Sequence, residues 1–376
     1  MPLLRDLAIA PYFADVVDPR VERTRDHALL DIIIIAIAAS ICGADSWVAV
    51  EEFGRAKRPW LETILALPNG IPSHDTVGRV FARIDPAQFQ AGFLAWVQAV
   101  QTVRADLIAI DGKTHRGSFD QASGKAALHL VSAWACENRL VLGQVAVDAK
   151  SNEITAIPQL LALLDLTDCT VSIDAFGCHT AIAEQIVRQG GDYILALKGN
   201  QATIHTDVTA LFADARTAPH TVDGLTLAAQ VTAGHGRQET RQAWVISDSD
   251  TIAYLNDRGR WPGLGSVIMI AAERTLSGRT TTEQRYYLAS GVLDAARANT
   301  LIRQHWGIEN SVHWVLDVTF NEDRSRIRTA HAPQNMAVLR HITLNLLRQE
   351  PSRGSLKSKR FRAALNEEYL ATVLGL

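Results

Sequence analysis

Two aspartates in this sequence directly follow short apolar runs that are typical of buried β-strands. Asp111 follows the run at 107–110, and Asp174 follows the run at 169–173. In open α/β sheets, the ends of such strands meet at the edge where binding sites form. If the two strands are neighbours, the carboxylates repel each other unless a cation lies between them. Carboxylate oxygens are ligands that Mg²⁺ and Mn²⁺ prefer, so the pattern indicates a divalent metal site.

A third carboxylate would complete a site for two metal ions. One face of a predicted C-terminal helix carries a polar residue at every fourth position: His305, Glu309, His313 and Asp317. Spacing alone leaves it open whether this stripe binds a ligand or only faces solvent. Glu322 and Asp323 are further candidates beside Asp317. The two stripe histidines lie eight residues apart, with Glu309 midway, and they raise the alternative of zinc, which the absence of an HExxH motif disfavours.

The elements that must position these side chains follow from the hydrophobic pattern. Residues 1–100 have helical spacing, and Ser73 or Asp75 is the expected N-cap of a helix that carries Arg79 and Arg83. The pattern then predicts strands at 107–110, 127–135, 140–147, 169–173 and 192–197, with helices at 153–164 and 180–189. We therefore expect a mixed α/β layer with a three-strand meander at one side.

Residues 200–295 interrupt this layer. A short helix at 203–212 precedes four strand-like segments at 225–231, 239–246, 265–272 and 281–288. We expect an inserted antiparallel sheet that stands off the main layer. Helical spacing returns from 293 to 317, with a break.

Composition limits the class of protein. The chain has 376 residues, 47% of them hydrophobic, and a net charge of −3. A uniformly basic coat for nucleic acid is therefore excluded, but local basic surfaces are not. The four cysteines form no CxxC pair, which favours reduced thiols, and the apolar window at 28–42 is too short for a membrane span. We expect a cytoplasmic protein with no membrane partner.

Several segments in order resemble one family. They are IDGK at 110–113, DA at 174–175, LKGNQ at 197–201, HGRQE at 235–239, HWGIEN at 305–310 and DVTFNED at 317–323. With these segments the chain resembles the IS4-like transposases of the DDE superfamily, most closely the ISAs1 group of bacterial insertion sequences, also called H-repeat-associated proteins. The resemblance covers nearly the whole chain.

The resemblance implies a fold class and a catalytic triad. The fold is α/β: a ribonuclease-H-like mixed sheet flanked by helices, with a β-rich insertion before the last catalytic helix and an N-terminal helical domain. The implied divisions are residues 1–100, 101–200, 201–295, 296–350 and a basic C-terminal tail at 351–376. The triad maps to Asp111, Asp174 and Glu309, which would hold two Mg²⁺ or Mn²⁺ ions. The reaction would be the cutting of element ends and their joining to target DNA.

One departure from the family concerns the residues around Glu309. Many relatives carry an Arg four residues before this Glu and a Lys seven residues after it, where this chain has His305 and Leu316. The groups that position flanking DNA must then differ, and His305, His313 or Arg303 are the expected substitutes.

The partner implied is double-stranded DNA, both the terminal inverted repeats and the target, bound by a homodimer on the bacterial nucleoid. Its affinity must come from local positive charge. The expected contacts beside the catalytic residues and in the insertion are Lys113, His115, Arg116, Lys198, His235, Arg237, Arg241, Arg303, His305, His313 and Arg326. Further basic candidates are Arg324, Arg328, Arg353, Lys357, Lys359, Arg360 and Arg362.

Two alternative functions remain open. The first is a catalytically silent relative that binds DNA without cutting it, against which the intact triad counts. The second is a Mg²⁺-dependent phosphohydrolase with Asp111 as the nucleophile. That chemistry favours a second Asp two residues later, where this chain has Lys113.

Overall fold

The computed structural model describes residues 8–100, 106–119, 126–147, 152–234, 237–276 and 279–376. The first five α-helices of the described residues are α1 (Leu29–Ile41), α2 (Trp47–Ala56), α3 (Arg58–Leu61), α4 (His74–Arg83) and α5 (Pro86–Val100). Ser73, one of the two expected caps, accepts a hydrogen bond from the backbone N–H of Thr76 and begins α4. The helical character of this region is confirmed.

Within the described ranges, nine strands form one mixed sheet. They are β1 (Leu107–His115), β2 (Leu128–Ala135), β3 (Leu140–Val147), β4 (Thr170–Ile173), β5 (Asp192–Leu197), β6 (Leu225–Gly234), β7 (Arg237–Ile246), β8 (Leu264–Leu276) and β9 (Arg279–Ser290). Their order is β3-β2-β1-β4-β5-β9-β8-β7-β6. The first three strands form the expected antiparallel meander, and β4 and β5 run parallel to β1. A mixed α/β architecture is therefore confirmed.

The inserted strands differ from the expectation of a separate sheet. Strand β9 pairs antiparallel with β5, from Ile194 opposite Ala289 to Leu197 opposite Tyr286. Strands β8, β7 and β6 then follow by antiparallel pairing. The expectation was wrong because β5 presents a free edge that the insertion completes, which satisfies its backbone hydrogen-bonding groups.

The remaining helices lie between and after the strands. They are α6 (Glu153–Leu161), α7 (Thr180–Arg188), α8 (Ala202–Thr217), α9 (Ser249–Leu255), α10 (Ala295–His305), α11 (Trp314–Thr319), α12 (Ala332–Gln349), α13 (Leu356–Leu365) and α14 (Glu367–Leu374). A π-helical turn, Glu309–His313, lies between α10 and α11. Helix α8 is longer than expected, and no sequence signal was assigned to α9.

The C-terminal segment is two helices rather than a basic tail. Helices α13 and α14 pack on α1 and α12. Lys359 is buried and donates a hydrogen bond of 3.0 Å to the carbonyl of Leu347, and Arg360 donates one of 2.9 Å to the carbonyl of Ser40. Both cations satisfy backbone carbonyls inside the protein, so their expected contact with DNA does not fit.

One hydrophobic core joins the N-terminal helices to the sheet. The isoleucine run of α1 is fully buried, and α12 packs against α1, α4, α5 and β3. Helix α12 is itself buried along most of its length, and its buried amides are hydrogen-bonded: Asn335 donates to the carbonyls of Phe81 and Ile84, and Asn345 to that of Val141. Within the described ranges, no helix has the length and apolar character needed to cross a membrane.

Candidate active site

Asp111 and Asp174 lie on neighbouring strands, as the sequence predicts. Strands β1 and β4 run parallel, and the last pair in their register is Ile110 opposite Ile173. Both aspartates directly follow this pair. The expected end of β1 at residue 110 was wrong, because β1 continues to His115 through its pairing with β2. Asp111 therefore lies where β4 stops and β1 continues, at the open edge between the two strands.

A cavity of about 510 Å³ brings the three predicted acids together. Asp111, Asp174 and Glu309 all contribute to its wall, and Lys198, Arg285 and Trp306 are among the other lining residues. The acids come from a strand, from the loop after a strand, and from the π-helical turn. This arrangement places three hard oxygen donors around one space.

The cavity disfavours negative charge on its aspartates. Burial raises the pKa of Asp111 to about 7, and the neighbouring carboxylates of Asp174, Glu309 and Glu153 act in the same direction. Burial and Glu153 also raise the pKa of Asp174, although the backbone N–H of Phe176 donates to its Oδ1 at 3.0 Å and Lys198 lies nearby. Crowded carboxylates of this kind are stabilised by a cation.

The donor set fits a divalent cation in its chemistry, because oxygen ligands are the ones that Mg²⁺ and Mn²⁺ prefer. Over the described part of the chain, no three His, Cys, Asp or Glu side chains already stand at metal-ligating distances.

Glu153 is a fourth carboxylate at this site, and sequence reasoning missed it. Its Oε1 lies 2.6 Å from Nε2 of His129, whose Nδ1 lies 2.8 Å from the hydroxyl of Thr114. A Cβ on Gly112 would lie 2.1 Å from the same Oε1, so the glycine beside Asp111 gives Glu153 its place. An acidic residue in the first turn of a helix is common, and nothing in the sequence distinguishes this one.

The side chains of the polar stripe around Glu309 contact different residues. Nδ1 of His305 lies 2.9 Å from the hydroxyl of Ser172, and Nδ1 of His313 lies 3.4 Å from Oδ2 of Asp111. Burial lowers the pKa of each histidine to about 4, so both are neutral at pH 7. His305 also lines the cavity, and the expectation that these two histidines contact DNA stays a prediction.

Lys113 and His115 also point inward rather than toward solvent. Nζ of Lys113 lies 2.6 Å from Oδ1 of Asp317 and 2.8 Å from Oε2 of Glu322. Only 6% of His115 is exposed, and its Nε2 lies 3.6 Å from the same Glu322 oxygen. These two residues therefore cannot make the expected phosphate contacts. Asp317 and Glu322, the rival acids, neutralise Lys113 instead.

Comparison with known proteins places the chain in a family. A model described as Transposase DDE domain matches residues 104–346, and one described as DDE_Tnp_1-associated matches residues 10–97. Putative transposase YncI of Escherichia coli O157:H7 is 40% identical over 98% of this chain and 94% of its own length. H repeat-associated putative transposase YhhI of Escherichia coli K12 is 37% identical over 93% of each chain. The chain belongs to the IS4-like DDE transposases of the H-repeat family.

Not every relative of this transposase is described as functional. A 57-residue match at 40% identity is named Inactive transposase YbfQ of Escherichia coli K12. Among solved structures, a piggyBac transposase synaptic complex with hairpin DNA is similar over 99% of this chain and 78% of that chain, at 9% identity and a TM-score of 0.43.

Several of the cations expected to contact DNA line two regions of the transposase. Lys198 lies at the cavity of the three acids, and Arg241 and Arg303 line an adjoining cleft of about 470 Å³ that shares Arg285, Trp306 and Glu309 with it. The guanidinium of Arg285 stacks 4.3 Å from the Trp306 ring centroid. Arg285 was not anticipated, because a single Arg in a strand carries no sequence signal.

The second region lies beyond the end of β1. Arg326 lines a groove of about 620 Å³ with Arg79, Arg83 and Arg328. Arg116, directly after β1, and Arg324, two residues before Arg326, are also exposed. His235 lies outside the described residues, as does the side chain of Arg237.

Proposed function

We propose that this chain cuts the ends of an insertion element and joins them to target DNA by in-line phosphoryl transfer. Asp111, Asp174 and Glu309 would hold two Mg²⁺ or Mn²⁺ ions. We also propose that strands β1 to β5 form a ribonuclease-H-like core, since their order combines an antiparallel meander with two parallel strands. The observation that carries the proposal is that three acids from three separate elements line one cavity of a DDE transposase.

The residues of the cavity would have different roles in the reaction. When bound, the ions would activate a water or a DNA 3′-hydroxyl and stabilise charge on the attacking and leaving oxygens. The three carboxylates would hold the ions. Lys198 and Arg285, at the cavity wall, would orient the scissile phosphate. No covalent bond between protein and DNA is needed.

DNA would reach the cavity along the adjoining cleft. Its arginines, Arg241 and Arg303, lie on the insertion and on α10, next to Glu309. Phosphate contacts there would supply affinity that falls as salt rises. We propose double-stranded DNA as the partner, a homodimer as the active assembly, and the bacterial nucleoid as the place of action.

The test is strand transfer with a labelled element end in Mg²⁺. The variants Asp111→Asn, Asp174→Asn and Glu309→Gln should each lower transfer by at least 10³-fold while still shifting the DNA on a gel. Asp214→Asn, on the exposed surface of α8, is the matched control and should retain wild-type transfer.

Other outcomes separate the alternatives. A wild type that shifts DNA but never cuts it is a silent relative. A wild type that hydrolyses a small phosphate ester and traps phosphate on Asp111 is a phosphohydrolase. Unimpaired transfer by all three acid variants would overturn the assigned triad.

A further inference from the structure

Lys113 is a largely buried lysine whose ammonium is fully engaged within the protein. Only 11% of its side chain is exposed. Nζ donates to Oδ1 of Asp317 at 2.6 Å, to Oε2 of Glu322 at 2.8 Å and to the backbone carbonyl of His313 at 3.3 Å. An ammonium has three protons, and these three acceptors satisfy all of them.

The acceptors belong to the segment that carries Glu309. His313 is the last residue of the π-helical turn that begins at Glu309, and Asp317 lies one turn further on in α11. Lys113 itself is two residues after Asp111, so both side chains project from the same face of β1. The Lys113 ammonium therefore links β1, which carries Asp111, to the helical segment that carries Glu309.

The local environment is built to keep this lysine in place. Glu322 is fully buried, and Nη1 of Arg340 lies 3.5 Å from its Oε1. Burial would raise the pKa of Glu322, but His115, Arg340 and Lys113 hold it well below its usual range. Apolar residues in place of such a buried charged cluster often give equal or greater stability. Stability alone therefore gives little reason for a lysine here.

The contact of Lys113 supports the π-helical turn that carries Glu309. A π-helical turn has a wider backbone than the α-helix on either side and is held by weaker geometry, and such turns are frequent at functional sites. The carbonyl of His313 is at the end of this turn, where Lys113 supports it. The position of Glu309 relative to Asp111 thus depends on a contact that β1 itself supplies.

We propose that Lys113 is a positioning residue that sets the separation of Asp111 and Glu309, rather than a contact to DNA. The proposal rests on the proposed function of these two acids.

The test compares Lys113→Met with Lys359→Met. Lys359 is a second buried lysine, and its Nζ lies 3.0 Å from the carbonyl of Leu347 and 3.1 Å from Oε2 of Glu350. It lies in α13, away from the cavity. Both variants lose a buried ammonium with a carboxylate partner, so both should have a lower Tm. All rates are measured at a temperature where both variants are folded by circular dichroism.

Two readouts distinguish positioning from simple stabilisation. For Lys113→Met we expect kcat for strand transfer to fall about 10²-fold with KM for DNA unchanged, because misplacement by about 1 Å has that effect. We also expect binding of Mn²⁺ alone, followed by electron paramagnetic resonance without DNA, to weaken at least tenfold. Lys359→Met should match the wild type in both.

A second variant guards against a folding defect. Lys113→Met/Glu322→Gln removes the buried carboxylate that the single change leaves without its lysine, and it should regain thermal stability but not kcat. Recovery of wild-type kcat in this double variant would overturn the proposal. So would a Lys113→Met protein whose kcat and Mn²⁺ affinity stay within twofold of wild type, or one whose KM for DNA rises at constant kcat.

Failure of the proposed function is visible separately. In that case the wild type and Lys359→Met also show no strand transfer. Mn²⁺ binding by the Lys113→Met protein still tests the positioning role.

Discussion

The carboxyl group of Asp111 is held where its charge is disfavoured. Burial and three neighbouring carboxylates raise its pKa to about 7. The folded state therefore keeps this proton to a higher pH than the unfolded chain does. Stability contributed by the group is present below the ordinary pKa near 4 and is lost as the pH rises toward 7, at about 1.4 kcal/mol per pKa unit. The position of this acid therefore lowers the stability of the fold at neutral pH.

Asp111→Asn should raise the free energy of unfolding at pH 8 by a few kcal/mol, since about 1.4 kcal/mol is recovered for each unit of pKa shift. At pH 4 the gain should nearly vanish, because Asp111 is then protonated in the folded wild type as well. Urea unfolding at the two pH values measures this. Equal gains at both would contradict it, and Asp214→Asn should show no gain at either.

Glu153 is expected to act on the same proton. Glu153→Gln removes a charge that raises the pKa of both Asp111 and Asp174, while the new amide can still bond to His129. The pKa of Asp111, followed by ¹³C carboxyl resonances, should therefore fall below about 7. The exposed change Glu184→Gln on α7 is the control. An unchanged Asp111 titration would place Glu153 outside the electrostatics of the site.

At the scale of elements, the antiparallel pairing of β5 with β9 places the inserted strands in the main sheet. The hydroxyl of Ser290 in β9 accepts from the backbone N–H of Tyr193 at 2.7 Å and donates to Oδ1 of Asp192 at 2.8 Å. The sequence places strands near the observed ones but does not show this join. Partners almost 100 residues apart leave no local pattern, and an antiparallel edge strand looks the same whether it extends a sheet or begins another.

Ser290→Ala should lower the free energy of unfolding by about 1–3 kcal/mol, because the buried N–H of Tyr193 loses its acceptor. Thr282→Ala, at an exposed position of the same strand, should change it by less than about 0.5 kcal/mol. Denaturant titration of both variants gives the comparison. Similar values for the two would show that the Ser290 bonds do not hold the join.

At the scale of the whole molecule, three of the four acids at the site were expected from the sequence, whereas the buried partners of several cations were not. Asp111 and Asp174 follow apolar runs, so their location could be read from local pattern. Lys113 meets Asp317 across some two hundred residues of sequence, and Lys359 and Arg360 end on backbone carbonyls. A basic residue looks alike in sequence whether it faces solvent or a buried acceptor.

Buried histidines should make the fold sensitive to acid. Burial lowers the pKa of His341 to about 3, against about 6.5 in an unfolded chain. The unfolded state therefore binds this proton first, and stability from the neutral ring is lost as the pH falls from 6.5 toward 3. As the pH falls through that interval, the free energy of unfolding should drop by several kcal/mol less for His341→Gln than for the wild type, whatever the difference between the two proteins at pH 7. Urea unfolding as a function of pH measures this, and parallel curves for the two proteins would contradict it.

The packing of α1 against α12, α13 and α14 has a consequence for synthesis on the ribosome. The isoleucine-rich helix is made first, and the helices that cover it are made some three hundred residues later. At about 5–20 residues per second, the apolar stripe waits roughly 15–60 seconds for its partners. During that time the nascent chain needs a chaperone or risks aggregation. A chain released before α12 to α14 are made lacks the helices that cover α1 and cannot complete this core.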